Sequence, residues 1–391
     1  MKSSKPASHG TIAVAGALAQ RPGRGGHAWV FLQYLIGLRR LGWDVVFVDR
    51  LEPGMCVDQN GQPCSVEESE NLAYVDRVMT EFGFAGCYCV LDSAGGCTFG
   101  LTRSELARKL TDSAFLLNVM GYLTDKELLA KPRRRVFLDI DPGFTQMWQA
   151  LGLADMIAGH EVHVTVGENI GRADCAIPTC GVEWITTPPP VVLDEWPWTD
   201  QPATSISGIG SWRGPYGPVR YGDVDYGLRV HEFRRFADVP ARCRSSVFDY
   251  ALDIDPVDVA DADLLERGGW RLSMPAAVAG TPGAYRDFIQ GSVAEFMVAK
   301  SMYVRSRSGW FSDRSACYLA SGRPVIAQDT GRCDTHSAGL LTFRSADEAV
   351  DAVEQVLADY PRHRRAARQI AESSFDSDRV LGRLVDRLVA A

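Results

Sequence analysis

The chain has 391 residues, of which 46% are hydrophobic, and its formal net charge is -8. This length exceeds what one ordinary core holds, so we expect two domains of roughly 180 residues each. No run approaches the roughly 20 apolar residues that cross a bilayer, and the polar start has no signal-peptide stretch. These features predict a cytoplasmic protein without a membrane span. The acidic balance argues against nucleic acid as a partner, and a solvated face explains the basic runs at 131–135 and 362–365.

Ten cysteines raise the question of a zinc site or disulfides. Five of them lie between Cys56 and Cys97, but no C-x-x-C pair occurs anywhere in the chain. Without a secretion signal, reduced structural thiols are the favoured interpretation. A zinc site on this segment is the alternative.

The first hundred residues begin with a βαβ pattern. The apolar run at 11–15 predicts a buried strand, and the loop at 21–27 is rich in glycine. A helical pattern follows and ends at Gly42, before a second predicted strand at 44–49. Strand, glycine loop, helix and strand in this order are typical of a parallel sheet.

Alternation of strands and helices continues along the chain. Strands are predicted at 115–120, 135–140, 162–166, 205–211, 303–305 and 323–327. Helices are predicted at 68–82, 103–110, 144–153, 230–236, 316–320, 347–357, 364–371 and 378–389. The proline-rich stretch at 186–190, which leads to 196–198, cannot be regular structure and is the best linker candidate.

This pattern predicts an α/β fold with two Rossmann-like domains that face each other across a cleft. We place a disordered tail at 1–10, an N-terminal domain at 11–195 and a C-terminal domain at 196–375. A last helix at 376–391 is predicted to pack back. Ligands of such sheets bind at the carboxyl ends of the strands, so the site is expected in the cleft.

The most informative segment for chemistry lies between residues 303 and 331. Ser312 or Asp313 is a plausible N-cap, so free backbone amides and Arg314 converge at the start of a helix. The loop Asp329-Thr330-Gly331 opens beside it. A helix N-terminus with an arginine can neutralise a diphosphate without a metal. An ordinary capped helix with a surface arginine is the plainer alternative.

Several short motifs of the C-terminal half occur in the same order as in a known protein family. They are Phe311-Ser312, the run at 320–327, Asp329-Thr330-Gly331 and the run at 339–343. This half resembles the donor-binding half of group 1 GT-B glycosyltransferases. Near the amino terminus, Gly25-Gly26-His27 and the run at 42–45 resemble the acceptor half of the same enzymes.

The resemblance implies a GT-B fold whose C-terminal helix returns toward the N-terminal domain. It implies hexosyl or deoxyhexosyl transfer from a nucleoside-diphosphate sugar, with no other cofactor, to a small-molecule acceptor such as a natural product. A monomer or a homodimer is expected. Arg213, just beyond the strand at 205–211, stands where related enzymes place a phosphate-binding arginine. The predicted donor-binding residues are Gly25, Gly26, Arg213, Ser312, Asp313, Arg314, Asp329, Thr330 and Gly331.

The chain departs from that family at two positions. The two glutamates of group 1 enzymes would align with Gly309 and Cys317, and neither is acidic. In inverting GT-B enzymes a histidine in a similar glycine-histidine position deprotonates the acceptor, and a neutral imidazole suits that role. We therefore predict His27 as the general base and inversion of the anomeric centre. A histidine that braces its own loop is the alternative.

Other acidic residues are candidates for the acceptor side. The pattern D-x-D occurs at five places, which deprives it of value as a metal motif, and we predict no metal site. Asp141 follows the predicted strand at 135–140 and is kept as a second catalytic candidate. Glu168 and Asn169 follow the strand at 162–166 and are predicted to lie on the acceptor side.

Two other functions fit the same fold, because fold does not determine function. The first is a catalytically inactive homologue that binds a sugar nucleotide or a partner protein, which the missing glutamates favour. The second is a GT-B sugar-nucleotide epimerase, which needs no acceptor.

Overall fold

The computed structural model describes residues 9–92, 95–243, 246–334 and 336–390. Most of the predicted tail, residues 1–8, lies outside the described residues. Two β-sheets organise the chain, one on each side of the linker.

The first sheet has eight strands in the order β4-β3-β2-β1-β5-β6-β7-β8. All neighbours are parallel except β3 and β4, which are antiparallel. The strands are β1 (Thr11–Ala15), β2 (Asp44–Arg50), β3 (Tyr88–Leu91), β4 (Cys97–Gly100), β5 (Ser113–Val119), β6 (Arg135–Asp139), β7 (Val162–Thr165) and β8 (Trp184–Thr186).

Helices cover both faces of this sheet, which is why residues 12–15 of β1 and 45–48 of β2 are continuously apolar instead of alternating. The helices are α1 (Gly25–Arg40), α2 (Glu70–Glu81), α3 (Arg103–Thr111), α4 (Lys126–Leu129) and α5 (Phe144–Ala150). A short 3₁₀ turn covers Pro53–Met55.

The second sheet is fully parallel and has the order β13-β12-β9-β14-β15-β16. Its strands are β9 (Ser205–Ser211), β12 (Val247–Asp253), β13 (Trp270–Ser273), β14 (Ser292–Met297), β15 (Val325–Gln328) and β16 (Leu340–Phe343). A separate antiparallel hairpin pairs β10 (Val219–Tyr221) with β11 (Val224–Tyr226).

The helices of the second half complete its α/β layers. They are α6 (Arg229–Phe233), α7 (Val239–Arg242), α8 (Val259–Arg267), α9 (Pro275–Ala279), α10 (Pro282–Gln290), α11 (Ser301–Ser306), α12 (Asp313–Ala320), α13 (Ala346–Ala358), α14 (Tyr360–Ile370) and α15 (Ser377–Ala390). Two 3₁₀ turns, Arg234–Phe236 and Pro256–Asp258, and a π-helical turn, Ala371–Phe375, stand between them.

The last helix returns to the first half of the chain, as predicted. Leu381 of α15 is fully buried, and a Cβ added at Gly37 of α1 would lie 2.5 Å from its Cδ1. Asp378 accepts hydrogen bonds from Arg40 of α1. A backbone bridge between Val191 of the linker and Asp376 brings the chain back beside its own linker.

One predicted strand is wrong. Residues 303–305 lie inside α11, and the strand at this place in the sheet is β14. Glu295 stands in the middle of β14 and hides the apolar pattern of a buried strand. A charged side chain inside a buried strand is tolerated here, because Arg314 pairs with the Glu295 carboxylate.

The glycine-rich start of α1 packs directly against the second half of the chain. A Cβ at Gly25 would lie 2.1 Å from the backbone oxygen of Thr281, just before α10. The indole of Trp29 donates a hydrogen bond to the Pro282 carbonyl in the same contact. Glycine is therefore required here for a backbone-to-backbone approach between the two halves.

We expect Gly25→Ala to lower the free energy of unfolding by about 1–3 kcal/mol, because a methyl group must push two backbones apart. Gly283→Ala in α10 is the matched control, since nothing lies within 4 Å of its added Cβ. That control should be neutral or stabilising by up to about 1 kcal/mol. Urea unfolding curves of both variants measure the difference, and equal midpoints would contradict the contact.

Candidate active site

The carboxyl ends of the two parallel sheets face each other across a cleft. Several polar contacts cross it, and three of them are the following. Lys300 Nζ, after β14, lies 2.7 Å from Asp141 Oδ1, after β6. Arg24 lies 2.7 Å from Asp253 at the end of β12. Asn169, after β7, donates a 2.8 Å hydrogen bond to the carbonyl of Gly331, after β15. Strand ends that oppose each other form the place where open α/β sheets bind ligands.

The pair of Lys300 and Asp141 occupies the middle of the cleft. Their side chains are only 16% and 17% exposed, and both Asp141 oxygens accept from the ammonium group. The ammonium also lies 5.0 Å from the ring centre of Phe144 and 5.6 Å from that of Tyr216. A cation with this much apolar surround is weakly hydrated and interacts strongly with any anion that reaches it.

Two tyrosines near Asp141 show that this part of the cleft is shielded from solvent. Burial raises the pKa of Tyr122 to about 12, and the negative charge of Asp141 acts in the same direction. Burial also raises the pKa of Tyr216, again with a contribution from Asp141. Both phenols therefore stay protonated near neutral pH and can donate hydrogen bonds.

Asp139 holds the loop that presents Asp141. It is fully buried and accepts hydrogen bonds from Gln146 at 2.6 Å and Thr165 at 2.8 Å. The backbone N–H of Asp141 donates to the other carboxylate oxygen at 3.1 Å. Burial raises the pKa of Asp139 to about 6, while these hydrogen bonds favour its charged form. Of the two aspartates in this D-x-D motif, Asp139 is structural and Asp141 faces the cleft.

A buried basic cluster lies beneath the carboxyl end of β9. Arg314 Nε is 2.5 Å from Glu295 Oε1, and its Nη1 donates to the Ile209 carbonyl at 2.8 Å. Arg229 crosses the same strand end, where a Cβ at Gly210 would lie 1.8 Å from its Nη1. Burial lowers the pKa of Arg229, and the charge of Arg314 lowers it further. Two guanidinium groups thus share one carboxylate.

Several polar atoms of this basic cluster have no hydrogen-bond partner within the part of the chain that the structure describes. They are Arg229 Nε, Arg314 Nη2, Glu295 Oε2 and the hydroxyl of Tyr250. The remaining contact of Arg229 is a long one, 3.4 Å to the Ser211 carbonyl. Buried donors and acceptors are normally satisfied, and a surplus positive charge is costly without an anion nearby. The cluster therefore carries one positive charge more than its own carboxylate, Glu295, neutralises, and Asp141 is a further carboxylate that acts on Arg229.

The other predicted residues of the donor helix lie at the start of α12. Ser312 is its N-cap residue but makes no side-chain capping hydrogen bond. Burial raises the pKa of Asp313; burial also raises the pKa of Tyr34 on α1, and the negative charge of Asp313 adds to that shift. Asp313 therefore faces the first half of the chain. Arg314 is buried, whereas the plainer alternative placed this arginine at the surface.

The loop after β15 is held by its own contacts. Asp329 pairs with Arg344 at 2.6 Å and accepts the N–H of Gly331 at 2.8 Å. The hydroxyl of Thr330 donates to the Trp310 carbonyl at 2.6 Å. Together with the contact of Asn169 to Gly331, these bonds fix the loop against the first half of the chain.

Arg213 and Glu168 each have an ion-pair partner. Arg213 makes a bidentate contact with Asp258 at 2.5 and 2.6 Å. Glu168 Oε1 lies 3.2 Å from Arg332 Nη1. A ligand that uses either residue must compete with these pairs.

The loop that contains His27 is anchored from inside. The Nε2 of His27 lies 2.9 Å from the Ala17 carbonyl, so Nε2 carries the proton and Nδ1 is the free acceptor. Asp49 binds the N–H of Ala19 at 2.6 Å in the same loop. Burial lowers the pKa of His27 to about 4, and Arg21 and Arg24 lower it as well. The imidazole is neutral at pH 7, as a general base requires.

Close packing fills the space next to Gly25 and Gly26. The volume above Gly25 is taken by Thr281, and a Cβ at Gly26 would lie 2.6 Å from the ring of Tyr285. We predicted that these glycines admit a ligand, but in the structure the second half of the chain occupies that volume. Their donor-binding role stays a prediction without a contact that supports it.

The sequence alone did not single out Lys300, Arg229 or Glu295. Lys300 directly follows β14, a strand that its own glutamate concealed. Had β14 been recognised, the lysine three residues beyond its end would have been a candidate by position.

Neither a membrane span nor a metal cluster is found among the described residues. None of their helices is both long and apolar enough to cross a bilayer. Nowhere in the described ranges do three or more His, Cys, Asp or Glu side chains converge on one point. Cys56, Cys64 and Cys87 are free thiols, and the side chain of Cys97 lies outside the described part.

Comparison with known proteins shows similarity in structure only. No protein-family model matches the chain, and no curated protein matches it in sequence. An alpha-glucosyltransferase solved with UDP and a 13-mer DNA is similar over 98% of this chain and 100% of its own, at 12% identity and a TM-score of 0.61. Anabaena Alr3699/HepE in complex with UDP-glucose covers the same shares at 11% identity and a TM-score of 0.57.

A third similar structure is the pneumococcal O-GlcNAc transferase GtfA in complex with UDP and GlcNAc. It matches over 97% of this chain and 99% of its own, at 10% identity and a TM-score of 0.50. The first is named a glucosyltransferase and the third an O-GlcNAc transferase, and the likeness to each of the three extends over both sheets and the returning helix. The chain therefore has the GT-B fold, in agreement with the resemblance in its sequence.

Proposed function

We propose that the protein is a glycosyltransferase that moves a hexosyl or deoxyhexosyl group from a nucleoside-diphosphate sugar to a small-molecule acceptor. The observation that carries the proposal is the surplus positive charge of Arg229 and Arg314 under the end of β9, with donors that lack partners. A diphosphate at the rim of the cleft supplies the missing negative charge. The GT-B fold supports the same conclusion by analogy.

Lys300 is the cation that we assign to direct contact with the diphosphate. Its present partner, Asp141, is a carboxylate in the position where a phosphate oxygen can replace it. When the bond between the anomeric carbon and the diphosphate oxygen breaks, negative charge accumulates on the leaving group. A lysine in an apolar surround stabilises that charge more than a hydrated one does.

Release of Lys300 leaves Asp141 free on the opposite wall of the cleft. We assign it to a hydrogen bond with the acceptor hydroxyl, and we keep His27 Nδ1 as the predicted proton acceptor. The acceptor oxygen then forms the new bond to the anomeric carbon as its proton moves to the base. The net charge of -8 favours a small acceptor over nucleic acid. DNA was bound by one of the similar structures, so oligonucleotides belong in an acceptor screen.

Lys300→Met should weaken the binding of UDP by about 1.5–3 kcal/mol, since it removes one charge-assisted contact. Lys126→Met, an exposed lysine on α4, is the control and should leave affinity unchanged. Calorimetric titration with UDP, GDP and dTDP measures both variants and identifies the base. Arg314 is a poor target for this test, because its removal leaves Glu295 buried and unpaired.

An unaltered affinity of folded Lys300→Met for every nucleotide would remove Lys300 from the diphosphate site. Failure of the unsubstituted protein to bind any of them would favour an inactive homologue that binds a partner protein. Product analysis with donor alone separates an epimerase, which converts the donor without an acceptor.

Turnover should not depend on a divalent metal, because arginine and lysine charges neutralise the diphosphate. Initial rates after treatment with EDTA should match those before it. A loss of activity that Mg²⁺ or Mn²⁺ restores would contradict this prediction and bring attention back to Asp139 and Asp141.

His27→Ala should lower kcat by about 10²–10⁴ while UDP affinity stays nearly unchanged, as expected for the loss of a general base. The neutral imidazole is the active form, so kcat/KM should stay flat from pH 8 down to about 5. It should fall only as the pH drops through the His27 pKa of about 4. Nearly full activity of His27→Ala, or a product with the donor's anomeric configuration, would refute the assignment. In that case Asp141→Asn is the next variant to measure.

A further inference from the structure

A second polar cavity lies at the end of the cleft, beside the strand ends of β7 and β15. Its volume is about 340 Å³, which suits a small metabolite. Five separate parts of the chain line it: the loop after β7, the linker, the loop after β15, the segment that leads into α15, and α15 itself. We call it the linker cavity, and its lining residues include Glu168, Arg172, Pro188, Arg332, Ser373 and Arg383.

Arg332 forms the wall of the linker cavity. Its side chain is only 9% exposed and lies 5.1 Å from the ring centre of Phe311 and 5.9 Å from that of Phe375. Two of its nitrogens bind Asp334 at 2.7 and 2.8 Å. The third, Nη1, is buried and lies 3.2 Å from Glu168 Oε1, its ion-pair partner. A buried guanidinium held on one side by a single carboxylate oxygen can exchange that contact for an anion that enters the cavity.

The charges of the lining leave cations in excess. Glu168 and Asp334, the two carboxylates, both lie within salt-bridge distance of Arg332. Arg172 and Arg383 have no carboxylate partner among the described residues, and Arg172 Nη1 instead contacts the sulfur of Cys333 at 2.8 Å. The hydroxyls of Ser373 and Ser374 lie on the same wall. Free arginines beside hydroxyl groups are the donors that recognise carboxylate and phosphate groups.

We infer that the linker cavity is a binding site for a small anion, a phosphate group or a phosphorylated small molecule, distinct from the donor diphosphate site. Arg172 belongs to the first half of the chain, whereas Arg332 and Arg383 come from the second half and from the returning helix. An anion that contacts all three ties the two halves together and favours the closed cleft. The site is separate from Lys300 and does not depend on the proposed activity.

Calorimetric titration of the full chain with glucose 6-phosphate, inorganic phosphate and glucose tests this site. We expect saturable binding of the phosphorylated probes and none of glucose. The double variant Arg172→Gln/Arg383→Gln should weaken that binding at least about tenfold, since it removes both unpaired cations. Arg379→Gln/Arg387→Gln, which neutralises two exposed arginines of the same helix, is the matched control and should bind as the unsubstituted protein does.

The outcomes separate the two sources of phosphate. Tighter binding of glucose 6-phosphate supports a site for a phosphorylated molecule, and equal binding supports a site for free phosphate. No saturable binding of either probe, or equal affinity in the Arg172→Gln/Arg383→Gln variant, overturns the inference. Lys300→Met should leave phosphate binding unchanged, and the double variant should leave UDP binding unchanged. Failure at this cavity is therefore distinguishable from failure of the proposed donor site.

Discussion

The buried pair of Glu295 and Arg314 is the interaction on which the second half of the chain depends. It joins the middle of β14 to the first turn of α12, and the same guanidinium binds the end of β9 through the Ile209 carbonyl. Loss of one member of a buried ion pair costs about 3–5 kcal/mol, because the other charge is left unpaired in a dry interior. The position of the central strands and the positive charge at the cleft therefore have one origin. A second arginine, Arg229, adds the charge that this pair does not neutralise.

The contacts between the two halves are of two kinds. On the α1 side they are close and largely apolar, with Trp29 against Trp196 and Gly25 against the backbone before α10. At the strand ends they are ion pairs and hydrogen bonds, such as Lys300 with Asp141 and Asn169 with Gly331. A charged ligand can replace polar contacts with contacts of its own, whereas separation of the apolar side exposes surface to water. Ligands are thus expected to exchange at the strand ends while the α1 contact persists.

The charge distribution of the molecule follows from this arrangement. The protein is acidic as a whole, with a net charge of -8, yet cations are gathered where strands of the second sheet end. Lys300 lies in the middle of the cleft, Arg229 and Arg314 are buried beneath the end of β9, and Arg172, Arg332 and Arg383 line the linker cavity. Clefts lined by one sign of charge with low-dielectric walls concentrate the field, so anionic ligands are drawn to these two places and repelled elsewhere.

Local pattern was sufficient for most of the fold. The strands β1, β2 and β9, the helices α1 and α15 and the GT-B resemblance were all readable from the sequence, because apolar periodicity and glycine loops act over a few residues. The candidate site was only partly predictable from the sequence. Asp141 was found from its position after a strand, but its partner Lys300, 159 residues away, was not. Neither was the burial of Arg314, since a buried arginine and an exposed one look alike until the glutamate that pairs with it is known.

The same limit explains the glycines of the α1 loop. The residue type alone shows that these glycines have a flexible backbone. Whether a ligand or Thr281 fills the space above Gly25 depends on how two distant segments of the chain pack together. Residue type and spacing decide which backbone shapes and which chemistry a segment offers. Tertiary packing decides which charges are desolvated and which are paired, because electrostatic energies depend on distance and burial, and these are properties of the folded chain.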